Sequence, residues 1–194
     1  MKISNIYEQV LTEAFKTGPI VAYHGSAHKF SSFTDEFVGG KDALDQEGPG
    51  IYFTTSEKNA ISYGEFVYKI ILTPKKSVST QESKNASLRE IEWLITHAPD
   101  WKDTAQNWNP NPSIGYRIAA KDFINYNDNP HQQFLQVWYD FYRNSPVEYV
   151  RNMVKLGYDS IIINGLNSMI ADESNITHIV VLNPAIIQYN EEVN

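Results

Sequence analysis

Two tyrosines lie on either side of a helix signal in GPGIYFTTSEKNAISYG, residues 48–64. Tyr52 falls in an apolar run of strand length, and Tyr63 follows in a helical pattern, where it shares a face with Ala60 because the two are three positions apart. If this helix folds back along its strand, the two rings face each other across a gap and small Ala60 leaves room between them. Such a slot suits a third planar ring. The alternative is that both tyrosines are half-buried packing residues.

Local signals give the elements that would hold these rings. Gly48-Pro49-Gly50 predicts a tight turn before the strand GIYFTT. Thr54-x-x-Glu57 is a capping-box pattern, so a helix is expected directly after the strand. We expect this helix to run for about three turns and to end at Gly64, which occupies the C′ position.

The rest of the chain predicts one α+β domain over residues 1–194. Periodicity in 1–18 indicates an N-terminal helix, and the interval 85–156 is a helical block interrupted by a loop at 99–115. Short apolar runs bounded by turn residues predict further strands at 19–25, 66–74, 158–164 and 177–184. Strands at both ends of the chain are expected to share one core, with the helical block inserted between them.

Composition excludes several kinds of site. The chain has no cysteine, which excludes disulfides, thiolate metal sites and cysteine nucleophiles and fits a reducing, cytoplasmic compartment. The His24-x-x-x-His28 spacing lacks an evident third ligand, so no metal site is predicted. No run approaches the ~18 apolar residues of a membrane span, and no signal-peptide pattern begins the chain. A net charge of −7 with scattered basic residues disfavours stable nucleic-acid binding, although a brief encounter with a nucleic-acid substrate remains open.

Three segments in order resemble the ADP-ribosyltransferases of the diphtheria-toxin and poly(ADP-ribose) polymerase type. That family carries a His, a Tyr and a Glu on three separate strands. VAYHGS resembles the first strand and supplies His24, GIYFTT resembles the second and supplies Tyr52, and HIVVLNP resembles the third and begins at His178. GYDSIII also resembles a strand of related domains in phage polyvalent proteins. The matching segments span 19–187.

The resemblance implies an ADP-ribosyltransferase-like fold with a split mixed or antiparallel β core and NAD as a substrate. His24 would hydrogen-bond a ribose hydroxyl, and the backbone of Gly25 would pair with the nicotinamide carboxamide. Ser26 would add a hydroxyl near the same site.

It also implies that Tyr52 and Tyr63 sandwich the nicotinamide ring, with Ala60 leaving room for it. Phe53 belongs to the same NAD-binding set. The loop 37–47 would lie over the adenosine half of NAD.

The third strand departs from the family, because His178 stands where the family has its Glu. A Glu would accept a hydrogen bond from a ribose hydroxyl and stabilise positive charge. Neutral His accepts one hydrogen bond but brings no negative charge. An active enzyme would use neutral His178 or borrow Glu173 or Asp172 from the preceding loop. Alternatively, transfer is lost and NAD binding remains, or His178 is an exposed histidine at a strand end.

The resemblance therefore implies a mono-ADP-ribosyltransferase that releases nicotinamide, because loss of the third Glu argues against polymer synthesis. The macromolecular acceptor is a protein or a nucleic acid, and the acidic charge favours protein. The alternatives are an inactive NAD-binding or interaction protein and an NAD glycohydrolase. Similarity to phage domains implies a toxin- or effector-like role, in the host cytoplasm if a phage encodes the chain.

Overall fold

The computed structural model describes residues 18–34, 47–81, 84–166 and 175–193. In these ranges seven strands form one mixed sheet in the order β4-β5-β6-β2-β1-β3-β7. β4 runs parallel to β5, and the other neighbouring strands are antiparallel. The strands are β1 Ile20–Ser26, β2 Ile51–Thr54, β3 Phe66–Leu72, β4 Ser77–Ser79, β5 Ser160–Leu166, β6 Ile176–Val181 and β7 Ile187–Glu192.

One short helix follows β2, and the other α-helices of the described ranges lie between β4 and β5 along the chain. The helices are α1 Glu57–Ile61, α2 Leu88–Thr96, α3 Trp101–Ala105, α4 Pro112–Tyr126, α5 Pro130–Val137 and α6 Pro146–Lys155. A π-helical turn, Trp138–Tyr142, continues α5, and a 3₁₀ turn, Pro184–Ile186, precedes β7. Helices beside a mixed sheet confirm the predicted α+β class.

The helical block packs around large buried side chains, and two buried tyrosines among them pair their hydroxyls with backbone carbonyls. Tyr142 is 1% exposed and donates its hydroxyl to the carbonyl of Leu94. Tyr149 is equally buried and donates to the carbonyl of Phe134 at 3.1 Å. Burial raises the pKa of both phenols, so they stay protonated donors at neutral pH. Each hydroxyl therefore joins two helices without leaving an unpaired polar group.

The Gly-Tyr-Asp motif attaches this block to the sheet. The hydroxyl of Tyr158 donates to Glu90 of α2 at 3.1 Å, and the ammonium of Lys76 lies 3.8 Å from the Tyr158 ring centroid. Asp159 accepts from the backbone N–H groups of Lys75 and Lys76 at 2.7 and 3.3 Å. These contacts fix the turn between β3 and β4 against β5, so the motif has a structural role here.

Three local predictions were wrong: the length of the helix after β2, its capping residue and the loop 99–115. α1 has five residues, not about three turns, and its cap is Ser56, whose hydroxyl accepts from the N–H of Asn59 at 3.0 Å. The hydroxyl of Thr54 instead accepts from the N–H of Ser56 at 3.2 Å. The predicted loop 99–115 contains α3, which the sequence analysis missed along with β4 and β7.

Some predictions fall on residues that the structure does not describe. These are nearly all of the N-terminal helix predicted over 1–18, nearly all of the 37–47 loop, and Asp172 and Glu173. Among the described residues, no helix combines the length and apolar character needed to cross a membrane.

Candidate functional site

The sheet divides between β1 and β2. β1 is bridged to β3 along its whole length, from Ile20 to Ser26. Within the described ranges its bridge to β2 is confined to Tyr23 opposite Thr54. In the same register, the next pair whose backbone N–H and C=O groups would face each other across these strands is Gly25 and Tyr52. The opening therefore lies between two residues that the sequence assigned to one binding site.

Hydrogen bonds elsewhere in the sheet show which way the backbone of Gly25 points. The N–H of Val193 donates to the carbonyl of Val67 at 2.9 Å, so the polar groups of Val67 face β7. Val67 lies opposite Gly25. Because the N–H and C=O of one antiparallel residue share a side, Val67 and Gly25 form a non-hydrogen-bonded pair. The N–H and C=O of Gly25 are therefore directed toward β2, into the opening.

His24 reaches across this opening with its side chain. Its Nδ1 lies 2.7 Å from the backbone oxygen of Tyr52. A carbonyl only accepts, so Nδ1 carries the proton and Nε2 keeps a lone pair. Burial lowers the pKa of His24, and the bond to Tyr52 only partly opposes this, so the ring is neutral at pH 7.

Aromatic rings fix the orientation of His24. Its ring centroid lies 5.7 Å from that of Phe30, 5.2 Å from that of Phe33 and 5.5 Å from that of Phe53. Phe53 is 3% exposed, so its position is in the core beneath His24. Rings at such distances pack edge to face or tilted. The imidazole is held by packing as well as by its bond to Tyr52.

α1 and the turn after it lie directly on β1. A Cβ added to Gly25 would come 1.9 Å from the carbonyl oxygen of Ala60 and 3.2 Å from the Cβ of Tyr63. One added to Gly64 would come 2.0 Å from the carbonyl carbon of Ser26. Gly64 lacks the left-handed φ of the predicted C′ cap. Glycine is required there because the backbone of Gly64 lies so close to that of Ser26 that a side chain would not fit. Ala60 is fully buried, and Tyr63 is 50% exposed beside Gly25.

Tyr52 and His178 share a face of the sheet. Thr54 pairs with His178, and Tyr52 lies two positions before Thr54, so their side chains project to the same side. By the same alternation, His24 lies on the opposite side with Phe53. Tyr52 is half-buried and donates its hydroxyl to the carbonyl of Gly48. The opening between β1 and β2 is where the two sides meet.

His178 lies within β6 and is half-buried. The N–H of Thr55 donates to the carbonyl of Thr177, so Thr54 and His178 form a close, non-hydrogen-bonded pair. Nε2 of His178 lies 3.3 Å from Oδ1 of Asn59 in α1. Burial lowers the pKa of His178. The sequence analysis missed Asn59, although asparagine inside a helix is unfavourable and could have signalled a side-chain role.

Ser26 ends β1 in a local turn. Its hydroxyl donates to the carbonyl of His28 at 2.8 Å and accepts from the N–H of the same residue at 3.1 Å. In the described ranges, no group of three or more acidic, histidine or cysteine side chains could hold a metal ion.

A family model described as "ADP-Ribosyltransferase in polyvalent proteins" matches residues 16–189. The chain belongs to this ADP-ribosyltransferase family. The resemblance read from VAYHGS, GIYFTT and HIVVLNP is thereby confirmed, and the divided mixed sheet is consistent with an ADP-ribosyltransferase fold.

Other comparisons add little to the family match. No curated protein matches the chain. A solved structure titled "Crystal structure of an anti-CRISPR protein" is similar, with a TM-score of 0.38 and 14% identity over 90% of this chain and 96% of that one. A similarity this low supports no conclusion about the fold or function of this ADP-ribosyltransferase family member.

Proposed function

We propose that the protein is an NAD-dependent mono-ADP-ribosyltransferase that transfers ADP-ribose to a macromolecular acceptor and releases nicotinamide. The opening between β1 and β2 carries this proposal. Gly25 directs one donor and one acceptor into it. A carboxamide presents the complementary acceptor and donor. Nicotinamide therefore fits this edge of the sheet chemically.

In the proposed complex, the N–H of Gly25 donates to the carboxamide oxygen, and its C=O accepts from the carboxamide nitrogen. The rings of Tyr52 and Tyr63 sandwich the nicotinamide, with Ala60 leaving room between them. The contact of α1 with Gly25 supports this arrangement, since it brings Ala60 and the base of Tyr63 to the same edge.

His24 would hold a ribose of NAD through its free ring nitrogen. With Nδ1–H donating to Tyr52, Nε2 is an acceptor for a ribose hydroxyl. Ser26 would contribute its hydroxyl nearby. The aromatic rings around His24 support this role, because they fix the imidazole before substrate binds.

The reaction breaks the bond between the nicotinamide nitrogen and C1′ of its ribose. The bonding electron pair leaves with nicotinamide, and the ribose becomes an oxocarbenium-like cation. A nucleophile of the acceptor then bonds to C1′ and loses its proton to solvent. A protonated His178 would oppose the cation, so the lowered pKa of this residue favours the reaction. Asp172 or Glu173 would supply a carboxylate if His178 alone does not suffice.

The acceptor is proposed to be a protein side chain, with a nucleic-acid base as the alternative. The net charge of −7 gives a nucleic acid no general electrostatic attraction. An acceptor protein would need a complementary surface near the ribose. The net charge of −7 does not indicate which type of side chain on the acceptor protein is modified.

The experiment is nicotinamide release from NAD labelled in its adenine half. It compares pure protein, protein with cell extract, and the His24→Ala and Tyr52→Ala variants. Tyr126→Ala is the matched control, because Tyr126 is 82% exposed on α4. We expect release with label on a macromolecule, lost in the two site variants and retained in the control. Full activity of Tyr52→Ala would overturn the assignment.

A non-catalytic NAD-binding protein is the second candidate, and His178 in place of the family Glu favours it. It predicts thermal stabilisation by NAD without nicotinamide release in any extract. An NAD glycohydrolase would instead release nicotinamide with pure protein and leave no label on macromolecules.

A further inference from the structure

His178 has a buried partner that is itself rigidly held. Asn59 is 4% exposed, and its Oδ1 faces Nε2 of His178 at 3.3 Å. Its N–H donates to the hydroxyl of Ser56, and its C=O accepts from the hydroxyl of Ser62 at 2.6 Å. The backbone of Asn59 is thus bound on both sides, which restricts where its carboxamide can lie.

We propose that Asn59 is the positioning residue for His178, accepting from Nε2–H so that Nδ1 is the lone-pair acceptor left for substrate. This inference rests on the proposed function, because the substrate group is a ribose hydroxyl of NAD. Asn59 touches the imidazole and acts through it.

The carboxamide suits this task better than a carboxylate would. A carboxylate beside the ring would favour imidazolium, whereas an amide oxygen accepts a hydrogen bond without adding charge. The described elements packed on His178 bring little other charge. Glu57 and Lys58 of α1 are exposed, and the strand neighbours Thr54 and Ile163 are uncharged. Asn59 therefore fixes the ring while leaving it neutral.

The direct test is the ¹⁵N spectrum of the His178 imidazole, which distinguishes the two tautomers. The wild-type protein should show Nε2 protonated and Nδ1 unprotonated. In Asn59→Ala the fixed tautomer should be lost, so the two nitrogen shifts move toward each other. An Nδ1–H tautomer in the wild type, or unchanged shifts in Asn59→Ala, would overturn the proposal.

The titration midpoint of His178 in Asn59→Asp provides a second test, because a purely structural role of Asn59 would not predict a shift in that midpoint. The new carboxylate should raise the titration midpoint of His178 by on the order of one pH unit. Asn111→Asp adds the same charge at the N-cap of α4, where aspartate also caps a helix, so its midpoint should match the wild type. Equal shifts in the two variants would contradict the proposal.

Nicotinamide release connects the pair to turnover. For Asn59→Asp, the rate should fall at neutral pH and recover as the pH rises past the raised midpoint, because imidazolium opposes the ribose cation. An unchanged rate profile beside a raised midpoint would overturn the role in the reaction. If neither the wild type nor any variant releases nicotinamide, the proposed function is wrong. The ¹⁵N spectra would still show whether Asn59 fixes the tautomer of His178.

Discussion

The Nδ1 of His24 lies 2.7 Å from the carbonyl oxygen of Tyr52, where a continuous antiparallel sheet would place the N–H of Gly25. A side chain therefore takes the acceptor that a backbone donor would otherwise use. Gly25 is half-buried at this opening, so its N–H is left for a ligand or water. His24 and Gly25 together thus keep β1 and β2 apart at this point of the sheet.

Gly25→Ala should abolish NAD binding. The new Cβ would lie 1.9 Å from the carbonyl oxygen of Ala60, so α1 must move away from β1. Overpacking of this kind costs about 1–3 kcal/mol of folding free energy and displaces Tyr63 from the site. Calorimetric titration with NAD, alongside urea unfolding, measures both effects.

Gly115→Ala is the control for that experiment. Its Cβ would lie 2.1 Å from the carbonyl oxygen of Ala105, a similar overlap within the helical block. It should lose comparable stability and keep its NAD affinity. Equal loss of affinity in the two variants would mean that Gly25 has no specific place in the site.

The free energy of unfolding should fall as the pH is lowered below about 6.5. Burial lowers the pKa of His24, His131 and His178 in the folded protein. For His131, burial outweighs the hydrogen bond to the backbone oxygen of Glu47, which lies 3.5 Å from Nε2. The unfolded chain then binds more protons than the folded protein in this window, so stability is present above the unfolded pKa and is lost as pH falls.

Glu47 works in the opposite direction, because burial raises its pKa and its contribution improves as pH falls toward 4.5. Urea unfolding at pH 7.5, 6.5 and 5.5 measures the sum. Of the three histidines, His131 lies away from the proposed site. The free energy of unfolding of His131→Gln should therefore fall less steeply with decreasing pH than that of the wild type. A variant curve parallel to that of the wild type would show that His131 does not titrate as expected.

Asp159→Asn should destabilise the protein by about 2 kcal/mol. The carboxylate is 6% exposed and accepts from the N–H groups of Lys75 and Lys76. Both N–H groups share Oδ2, and Oδ1 accepts from the hydroxyl of Ser160. An amide would remove the charge from the two backbone hydrogen bonds and replace the acceptor of the Ser160 hydroxyl with an NH₂ group. Asp100→Asn, at an exposed N-cap that makes no side-chain capping bond, should change stability by less than about 0.5 kcal/mol. Chemical unfolding compares the two, and equal stabilities would contradict the structural role of Asp159.

The sequence was sufficient for the main elements of the site because their signals are local. Apolar runs with Gly or Pro at one end marked β1, β2 and β3, and the family segments put His24, Tyr52 and His178 on separate strands. β4 has three residues and β7 reads NEE at its end, so neither shows the apolar run that marks a central strand.

Register and hydrogen-bond phase could not be predicted from one chain. The direction of the Gly25 backbone follows from the bond between Val193 and Val67, two strands away from β2. The contact of Asn59 with His178 likewise joins residues far apart in sequence. The capping pattern at Thr54 misled because Ser56, two residues later, offers an equally good hydroxyl.

His178→Glu should increase nicotinamide release, on the order of tenfold, if NAD binds as proposed. The substitution places a carboxylate on β6 opposite Thr54, the position at which the resemblance implies the family's Glu. Burial lowers the pKa of the imidazole there and would raise that of a carboxyl, so the gain should be largest at the alkaline end of a pH 6.5–8.5 series. Single-turnover release of nicotinamide measures the change.

His178→Gln separates charge from hydrogen bonding in this comparison. Its amide accepts a hydrogen bond but carries no charge, so it should release nicotinamide within a few-fold of the wild-type rate. A Glu variant faster than the Gln variant would show that negative charge at this position stabilises the ribose cation, and that the natural chain operates without it. Equal rates would mean that the carboxylate is not near C1′, which contradicts the position assigned to β6 in the site.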